Sequence, residues 1–345
     1  MKGEYFKEVA KLSATRFWIN NVTVEEALLA LDAGAVGCTQ NPSYSWKILN
    51  DSSDKEYAHA TLKEIMKTEK DNTEALVKLQ RALISRIAKC FLPLYESSSG
   101  KLGYVSIQGD PFHEDADSIL RFARFNHEAG PNMMAKIPAT EEGLKAISIV
   151  AAEGIPINAT ECMAVRQVVD ACEAYLEGSK NLKNPAPMYF SLITGIFDEY
   201  LQNTVKEKNI DIDRSALWQA GMCVAKKVHA IVADRHYPVG FISGGARGLH
   251  HFTEMVGANA SITINWKGSA DLLIEQNPPV VFRFLQPTPY IVEEELVEKL
   301  EVFRKAYFIH AIEPSEYEEF GPVVLFRNMF ESSWQKALAL IASLR

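Results

Sequence analysis

Strand-like runs alternate with longer helical segments along most of this chain, and that alternation limits the fold more than any other feature. Between the runs, apolar residues recur at helical spacing, as at Leu144, Ile147 and Ala151. Strands that alternate with helices indicate parallel βαβ units, and eight such units predict a closed (β/α)8 TIM barrel of the α/β class. The eight predicted strands are Arg16–Asn20, Ala35–Thr39, Tyr104–Gln108, Met133–Pro138, Ile155–Thr160, Met188–Ile193, Val239–Ser243 and Ile262–Asn265.

An open, doubly wound sheet is the structural alternative, because it also alternates strands with helices. Nucleotide-binding sheets of that kind carry a G-x-G-x-x-G turn after an early strand. No such motif occurs early in this chain. The barrel is therefore the preferred prediction.

Residues 1–345 are predicted to form a single barrel domain with two helical additions. A length of 345 residues suits one large barrel or two ordinary domains. The first addition is a helical insertion at about residues 43–99, between the second and third strands. The second is a helical C-terminal extension over about residues 287–345, with helices expected at Glu293–Tyr307 and Phe326–Leu344 and a turn at Gly321-Pro322 between them.

The charge and the cysteine pattern exclude several classes of protein. A net charge of −8 argues against a nucleic-acid partner, since phosphates require a basic surface. No apolar stretch approaches the roughly 18 residues of a membrane span. The five cysteines form no C-x-x-C pair, and Met1 to Ala14 contains no apolar signal-peptide core. We therefore expect a cytoplasmic protein with reduced thiols that binds neither nucleic acid nor membrane.

Polar side chains collect at the C-terminal ends of the predicted strands. Residues two apart on a strand share a face, and in a (β/α)8 barrel these strand ends converge on the catalytic face. Any one of these residues could be a hydrogen-bonded core residue, but their repetition predicts a polar site. They are Asn20, Thr39, Asn41, Ser106, Gln108, Asp110, Asn158, Thr160, Ser191 and, after the seventh strand, Arg247.

Lys136 is a lone charge in the apolar fourth strand. Strand alternation places its neighbours Ala135 and Ile137 against the surrounding helices and turns Lys136 toward the barrel interior. Burial lowers the pKa of a lysine and favours the free amine, which can attack a carbonyl group and form an imine. The alternative is a structural lysine that is paired with Asp110 or Glu161.

Three motifs are similar to those of the transaldolase family, whose members are class I aldolases. A-K-I-P-A-T-E-E-G stands at residues 135–143, E-G-I-P-I-N-A-T at residues 153–160, and T-Q-N-P-S at residues 39–43. They resemble the family's K-I-P-A-T-x-E-G, E-G-I-x-x-N-x-T and T-T-N-P-S. The resemblance extends over approximately Phe17 to Leu344 and implies a barrel with the reactive lysine on its fourth strand.

The resemblance also implies roles for individual residues. Lys136 would form the Schiff base with the substrate carbonyl. Asn41 and Ser191 would hold hydroxyl groups of a dihydroxyacetone unit, and Thr160 would help to position the catalytic water. Asn158, in the same motif as Thr160, is expected to contribute to substrate binding.

The sequence departs from the family pattern at three strand ends. Asn20 stands where the family usually has an aspartate that assists proton transfer, and Gln108 stands where V-S-x-E provides a glutamate. Glutamine cannot exchange a proton at neutral pH, although it can orient a water. The fructose-6-phosphate aldolase branch also has glutamine there, so Asn20 and Gln108 remain candidate catalytic residues. In the sixth strand, S-L-I-T-G-I replaces S-P-F-V-G-R; Ile196 thus replaces a phosphate-binding arginine, and Ile193 the tyrosine of the aldolase branch.

The motif G-G-A-R-G at residues 244–248 is similar to the family's G-A-S-F-R after the seventh strand. Glycines let backbone N–H groups approach an anion, and barrels often bind phosphate at this place. Arg247 is therefore a candidate substrate-binding residue, although a glycine turn with a solvated arginine would look the same. Lys267, at the end of the eighth strand, could supply a second charge.

Two other kinds of site fit the sequence less well. The adjacent His250 and His251 would point in different directions on a helix and belong to no metal-binding motif, so we expect no metal and no cofactor. Glu161 and Asp110 could form a carboxylate pair of the glycosidase type. That interpretation leaves the lysine of the fourth strand unexplained.

Two hypotheses for the function follow. The first is a transaldolase-like class I aldolase that transfers a dihydroxyacetone unit from a ketose, or ketose phosphate, to an aldehyde. The second is a catalytically weakened barrel that binds a sugar or an anion as a sensor or structural protein. The retained Lys136, Asn41, Thr160 and Ser191 favour the enzyme. A sugar or sugar phosphate is the expected partner in both cases, and a homo-oligomer remains open.

Overall fold

Eight parallel strands form a closed barrel in chain order in the computed structural model, which describes residues 4–345. The predicted domain begins at Met1, and its first three residues lie outside the described part of the chain. The fold is the predicted α/β barrel. The strands are β1 (Arg16–Asn20), β2 (Ala35–Thr39), β3 (Tyr104–Gln108), β4 (Met133–Pro138), β5 (Ile157–Cys162), β6 (Met188–Leu192), β7 (Gly240–Ser243) and β8 (Ser261–Asn265).

The first four strands have the predicted bounds, and the fifth shows the largest difference. Strand β5 begins and ends two residues later than predicted, because it continues through an irregular step between Ala159 and Cys162. Within that step Glu161 adopts a left-handed backbone conformation with φ of 60°. Sequence alternation alone does not predict such a bulge, which changes where the following side chain points.

Sixteen α-helices surround and cover the barrel in the described chain. Several begin at a side-chain cap; for example, the Thr23 hydroxyl accepts the Glu26 N–H, and the Thr140 hydroxyl accepts the Gly143 N–H. The helices are α1 (Tyr5–Leu12), α2 (Val24–Asp32), α3 (Ser43–Asn50), α4 (Lys55–Thr68), α5 (Asn72–Ser97), α6 (Ala116–His127), α7 (Glu141–Ala152), α8 (Val165–Ser179), α9 (Thr194–Lys208), α10 (Arg214–Trp218), α11 (Ala220–Asp234), α12 (His250–Thr253), α13 (Asp271–Gln276), α14 (Tyr290–Lys299), α15 (Glu301–Tyr307) and α16 (Gly321–Ser343).

The helical insertion contains α3, α4 and α5, and the C-terminal extension contains α14, α15 and α16. The helix expected over Glu293–Tyr307 is two helices, because Leu300 has an extended backbone conformation. The expected turn at Gly321-Pro322 is wrong: these residues form the first turn of α16. Proline fits there because the first helical N–H groups have no partner within the helix. Helix α16 packs against α3, α5 and α9.

The barrel interior is apolar at the N-terminal end of the strands and polar at the C-terminal end. Trp18, Tyr104, Met134 and Ile242 form a separate apolar cluster inside the barrel. Ala135 and Ile137 belong to the main core outside the strands, so Lys136 points inward as predicted. Within residues 4–345, no helix combines the length and the apolarity needed to cross a membrane.

Candidate active site

A cavity of about 200 Å³ lies at the C-terminal end of the barrel. Strand ends form its floor, the loop after β7 forms one side, and α16 closes another. Among the residues proposed from the sequence, Asn20, Asn41, Lys136, Thr160, Ser191 and Arg247 line it, together with Asn21, Ile193, Ile196, Asn265, Phe326, Met329 and Phe330. Gln108 and Asn158 do not line it.

Lys136 lies at the floor of this cavity and is only 7% exposed. Its Cα pairs with Gln108 on one side and with Asn158 on the other. Its ammonium group has no carboxylate within 4.0 Å in the described chain, so neither Asp110 nor Glu161 forms an ion pair with it. Burial lowers its pKa from 10.5 to about 8, although the nearby Glu161 carboxylate acts in the opposite direction. Roughly a tenth of the amine is therefore neutral at pH 7.

Asn158 lies beneath the cavity and is fully buried. Its side-chain amide donates to the Ser106 hydroxyl at 3.1 Å, and its Oδ1 accepts the Ser191 hydroxyl at 2.8 Å. Both ends of the amide are thus used by neighbouring strands. In this structure the Asn158 side chain therefore holds the Ser191 hydroxyl.

A second hydrogen-bonded group joins β1, β2 and β8 at the cavity wall. Asn20 donates to Asn265 Oδ1 at 3.0 Å and accepts the Thr39 hydroxyl at 3.0 Å. Thr39 and Thr263 share a further hydrogen bond of 2.7 Å. None of these four side chains exchanges protons at neutral pH. Asn20 thus links the ends of β2 and β8 through its side-chain amide.

Asn41 is held by Asn21, a residue that sequence reasoning missed. Asn21 donates its amide to Asn41 Oδ1 at 2.9 Å and accepts the Asn41 backbone N–H at 3.0 Å, and the Ser43 N–H also binds Asn41 Oδ1. This leaves the Asn41 amide nitrogen to face a ligand. The Asn21 backbone adopts φ of 47°, a left-handed conformation that asparagine tolerates better than most residues. An asparagine directly after the first strand was the one feature of the sequence that could have pointed to this residue.

Thr160 is buried on the cavity wall, and its hydroxyl has no hydrogen-bond partner in the described residues. A buried hydroxyl without a partner costs free energy unless a water or a ligand satisfies it. The arrangement is what a water-positioning residue requires.

Gln108 lies at the centre of a buried carboxyl cluster beside Lys136. Its amide nitrogen donates to Glu161 Oε1 at 2.8 Å and to Glu114 Oε1 at 3.2 Å. A second cavity, of about 10 Å³, lies against Gln108, Glu114 and the hydrogen-bonded side chains of Asp110 and His113. Lys136 borders both cavities. Burial raises the pKa of both glutamates. Glu114 was missed because a loop residue carries no strand pattern.

Arg247 reaches the cavity from the loop after β7, but its charge is already engaged. Its guanidinium forms an ion pair with Glu199 on α9 and contacts the Met329 sulfur at 3.7 Å. Lys267 is exposed and is not among the residues that line the cavity, so the expected second charge is absent there. The loop and α9 approach closely, since a side chain at Gly195 would meet the Gly245 carbonyl at 2.2 Å.

His250 and His251 lie together with Asp198, contrary to the expectation that they diverge. Their potential ligand atoms fall within 4.8 Å of one another, and the His250 ring is stacked on Trp218. The two buried members, Asp198 and His251, already have hydrogen-bond partners. His251 donates to Asp198 Oδ2 at 3.0 Å and accepts the Arg247 N–H at 3.3 Å, and Asp198 Oδ1 accepts the Gly221 N–H. The arrangement supports the loop that carries Arg247.

Comparisons with known proteins identify the family of this chain. The model of the Transaldolase/Fructose-6-phosphate aldolase family matches residues 17–304. Transaldolase from Saccharopolyspora erythraea is 34% identical over 160 residues, which cover 46% of this chain and 42% of that protein. Transaldolase from Trichodesmium erythraeum is 32% identical over 148 residues, which cover 42% of this chain and 38% of that protein. Transaldolase from Mycobacterium tuberculosis is 30% identical over 188 residues, which cover 54% of this chain and 49% of that protein. The chain thus spans less than half the length of each relative.

Proposed function

Because the chain belongs to the transaldolase/fructose-6-phosphate aldolase family, we propose that it is a class I aldolase of the transaldolase type, which forms a Schiff base between Lys136 and a ketose. The observation that carries the proposal is the place of Lys136. It is a buried lysine without a carboxylate partner, at the floor of a polar cavity, and burial depresses its pKa to about 8. A purely structural lysine would be paired.

The chemistry follows from the free amine. Lys136 attacks the ketose carbonyl carbon, and loss of water leaves an iminium ion that can accept the electron pair of the bond between the α and β carbons. When a base removes the proton of the hydroxyl on the β carbon, that bond breaks and the β carbon departs as an aldehyde. The three-carbon enamine that remains attached to Lys136 adds to an acceptor aldehyde. Hydrolysis then returns the lysine and releases the new ketose.

The cavity walls supply the contacts that this sequence of steps requires. The Ser191 hydroxyl, held by Asn158, and the Asn41 amide, held by Asn21, can bind hydroxyl groups of a dihydroxyacetone unit. Thr160 offers an unpartnered hydroxyl for the water that hydrolyses the imine. The substrate is a sugar or a sugar phosphate, and Arg247 is the side chain that would contact a phosphate.

Trapping with borohydride tests the proposal. The protein is treated with borohydride in the presence of fructose 6-phosphate or free dihydroxyacetone, and the modified peptide is located by mass spectrometry. We expect an adduct on Lys136, its loss in Lys136→Met, and its retention in Lys267→Met, which removes an exposed lysine near the cavity. An adduct on another lysine, or none with a wide set of ketoses, would overturn the Schiff-base assignment.

A weakened sugar- or anion-binding barrel is the second candidate function. The amide network around Asn20 favours it, since this wall carries no acid or base. The two functions differ in turnover. A binding protein would retain ketoses without forming new ketoses from any acceptor aldehyde, whereas the proposed enzyme releases product with at least one donor and acceptor pair.

A further inference from the structure

The carboxyl cluster beside Lys136 has no role in the steps above, although imine chemistry needs a proton donor and acceptor. Glu161 is fully buried, and one of its oxygens has no hydrogen-bond partner in the described chain. The same holds for one oxygen of Glu114 and for the Gln108 amide oxygen. Three unpartnered oxygens within one hydrogen-bonded cluster are costly for a site that serves packing alone.

The backbone at Glu161 adds to that cost. Its φ of 60° is a left-handed conformation, which disfavours residues that carry a Cβ. Such strain clusters at functional sites. Glu161 directly follows Thr160, and the irregular step in β5 brings its carboxyl group to the Gln108 amide on β3. An ordinary strand residue at position 161 would instead point away from the barrel interior.

Resting on the proposed function, we propose that Glu161 and Glu114, joined by the Gln108 amide, share the proton that is given to and taken from the Lys136 imine. Glu161 acts as a relay residue through a bridging water, because no carboxylate lies within 4.0 Å of Lys136 in residues 4–345. The 10 Å³ cavity, which Lys136, Gln108 and Glu114 border but Glu161 does not, has space for about one water. A water there lies against the Glu114 side of the cluster, and Glu161 joins that side through the Gln108 amide.

The proton and charge balance of the step is complete without another reactant. The neutral amine of Lys136 forms a bond with the carbonyl carbon, and the carbonyl oxygen leaves as water. That water carries one proton from the amine and one from the carboxylic acid. The products are an iminium cation and a carboxylate, which attract each other across the cluster. Cleavage of the carbon–carbon bond then returns a proton, from the substrate hydroxyl, to that carboxylate.

The surrounding charges are compatible with a carboxyl pair that holds one proton. Two like charges that share a buried site cannot both ionise easily. Burial raises the pKa of both carboxyl groups, and repulsion by Glu161 raises that of Glu114 further. Arg327 and Glu331 on α16 act on Glu161 in opposite directions, and Glu318 and Arg327 do so on Glu114.

Two further titratable groups face the cluster or the lysine. The Cys38 thiol is buried near Lys136, and its raised pKa excludes it as a proton donor or acceptor near neutral pH. Asp110 is bound to His113 and to the Phe112 N–H. The Glu161 carboxylate raises the pKa of Lys136, against the effect of burial.

The test compares Glu161→Gln and Glu114→Gln with Glu331→Gln, which removes a carboxylate near Glu161 but outside the hydrogen-bonded cluster. Borohydride trapping and turnover are measured against pH. For Glu161→Gln we expect turnover to fall on the order of 10²-fold, as for the loss of a general acid–base group. The pH midpoint of imine formation should also move below its wild-type value, because the anion that favours the lysine ammonium is gone.

For Glu114→Gln, we expect the Glu161 carboxyl group to lose its proton at lower pH, because the like charge of Glu114 has been removed. The limb of the pH–rate profile that reports the loss of this acid should therefore move to lower pH. Glu331→Gln should move the same limb in the same direction but by much less, because Glu331 exerts the weakest of the charge effects on Glu161 and lies outside the hydrogen-bonded cluster. If wild-type protein traps on Lys136 but both cluster variants keep the wild-type profile, the relay is refuted and the Schiff base stands. If wild-type protein does not trap, the proposed function itself fails. Should Glu161→Gln not fold, Glu161→Asp and Glu114→Gln carry the same comparison.

Discussion

The Lys136 Nζ atom lies 5.9 Å from the centre of the Phe330 ring, which belongs to helix α16 of the C-terminal extension. Phe330 is 1% exposed and, with Phe326 and Met329, forms the apolar side of the cavity. Lys136 is therefore kept from solvent by a helix that follows the last barrel strand. Since desolvation is the main cause of the depressed lysine pKa, α16 helps to lower that pKa.

Removing that ring should change the charge state of the lysine. In Phe330→Ala, water enters beside Lys136, and the pKa should move from about 8 toward its ordinary value. The pH midpoint of borohydride trapping should rise, and the rate at pH 7 should fall. Phe303→Ala is the matched control, because it removes a fully buried phenylalanine of α15 that does not line the cavity. Both variants should lose roughly 3–5 kcal/mol of stability. Equal midpoints in the two variants would contradict the shielding role.

The burial of Lys136 should also appear in the stability of the protein. A lysine whose pKa is lower in the folded state binds fewer protons there than in the unfolded state between about pH 8 and 10.5, so stability rises with pH in that window. Below pH 8 the full cost of burying the charge is present, on the order of 3 kcal/mol. Lys136→Met should therefore be more stable than wild type at pH 7, with an advantage that shrinks toward pH 10.5. Denaturant unfolding of both proteins across this range provides the measurement, and a difference independent of pH would contradict it.

Asn158 should support the site by holding Ser191. In Asn158→Leu, the Ser106 and Ser191 hydroxyls lose their buried partner, which should cost about 1–3 kcal/mol of stability and raise the KM for hydroxylated ketoses. Ser106→Ala is the control, since it removes the other end of the chain of hydrogen bonds and leaves Ser191 bound to Asn158. The control should lower stability with little change in KM. A rise in KM of similar size in both variants would argue against a specific effect on Ser191.

The barrel and the inward-facing lysine were predictable because both depend on local patterns. Strand alternation predicted that Ala135 and Ile137 face the helices and that Lys136 faces inward. The polar residues at the strand ends predicted a polar C-terminal end of the barrel. The roles given to individual site residues stay predictions. Asn158 was expected to contribute to substrate binding, and it lies below the residues that line the cavity. Alternation predicts only that a side chain points inward and not how deep it lies.

The carboxyl cluster was not predictable in the same way. Glu161 reaches Gln108 only because β5 contains an irregular step with a left-handed residue, and Glu114 arrives from a loop. The contact between Phe330 and Lys136 joins residues far apart in the chain, so no local pattern contains it. The ion pair of Arg247 with Glu199 is likewise a matter of tertiary packing.

The ion pair of Arg247 with Glu199 should weaken the binding of a substrate phosphate. Arg247 and Lys136 are the only basic residues among those that line the 200 Å³ cavity in the described chain, and Glu199 already neutralises Arg247. A substrate phosphate must therefore compete with the glutamate. Glu199→Gln should lower the KM for phosphorylated ketoses and leave that for unphosphorylated ketoses unchanged. Arg247→Ala should raise the KM for phosphorylated ketoses about ten- to a hundredfold, the equivalent of one charge-assisted contact of roughly 1.5–3 kcal/mol. Steady-state kinetics of both variants, with phosphorylated and unphosphorylated ketoses, test whether Arg247 binds the phosphate. If both variants affect the two substrate types equally, Arg247 fixes the loop to α9 and does not bind an anion.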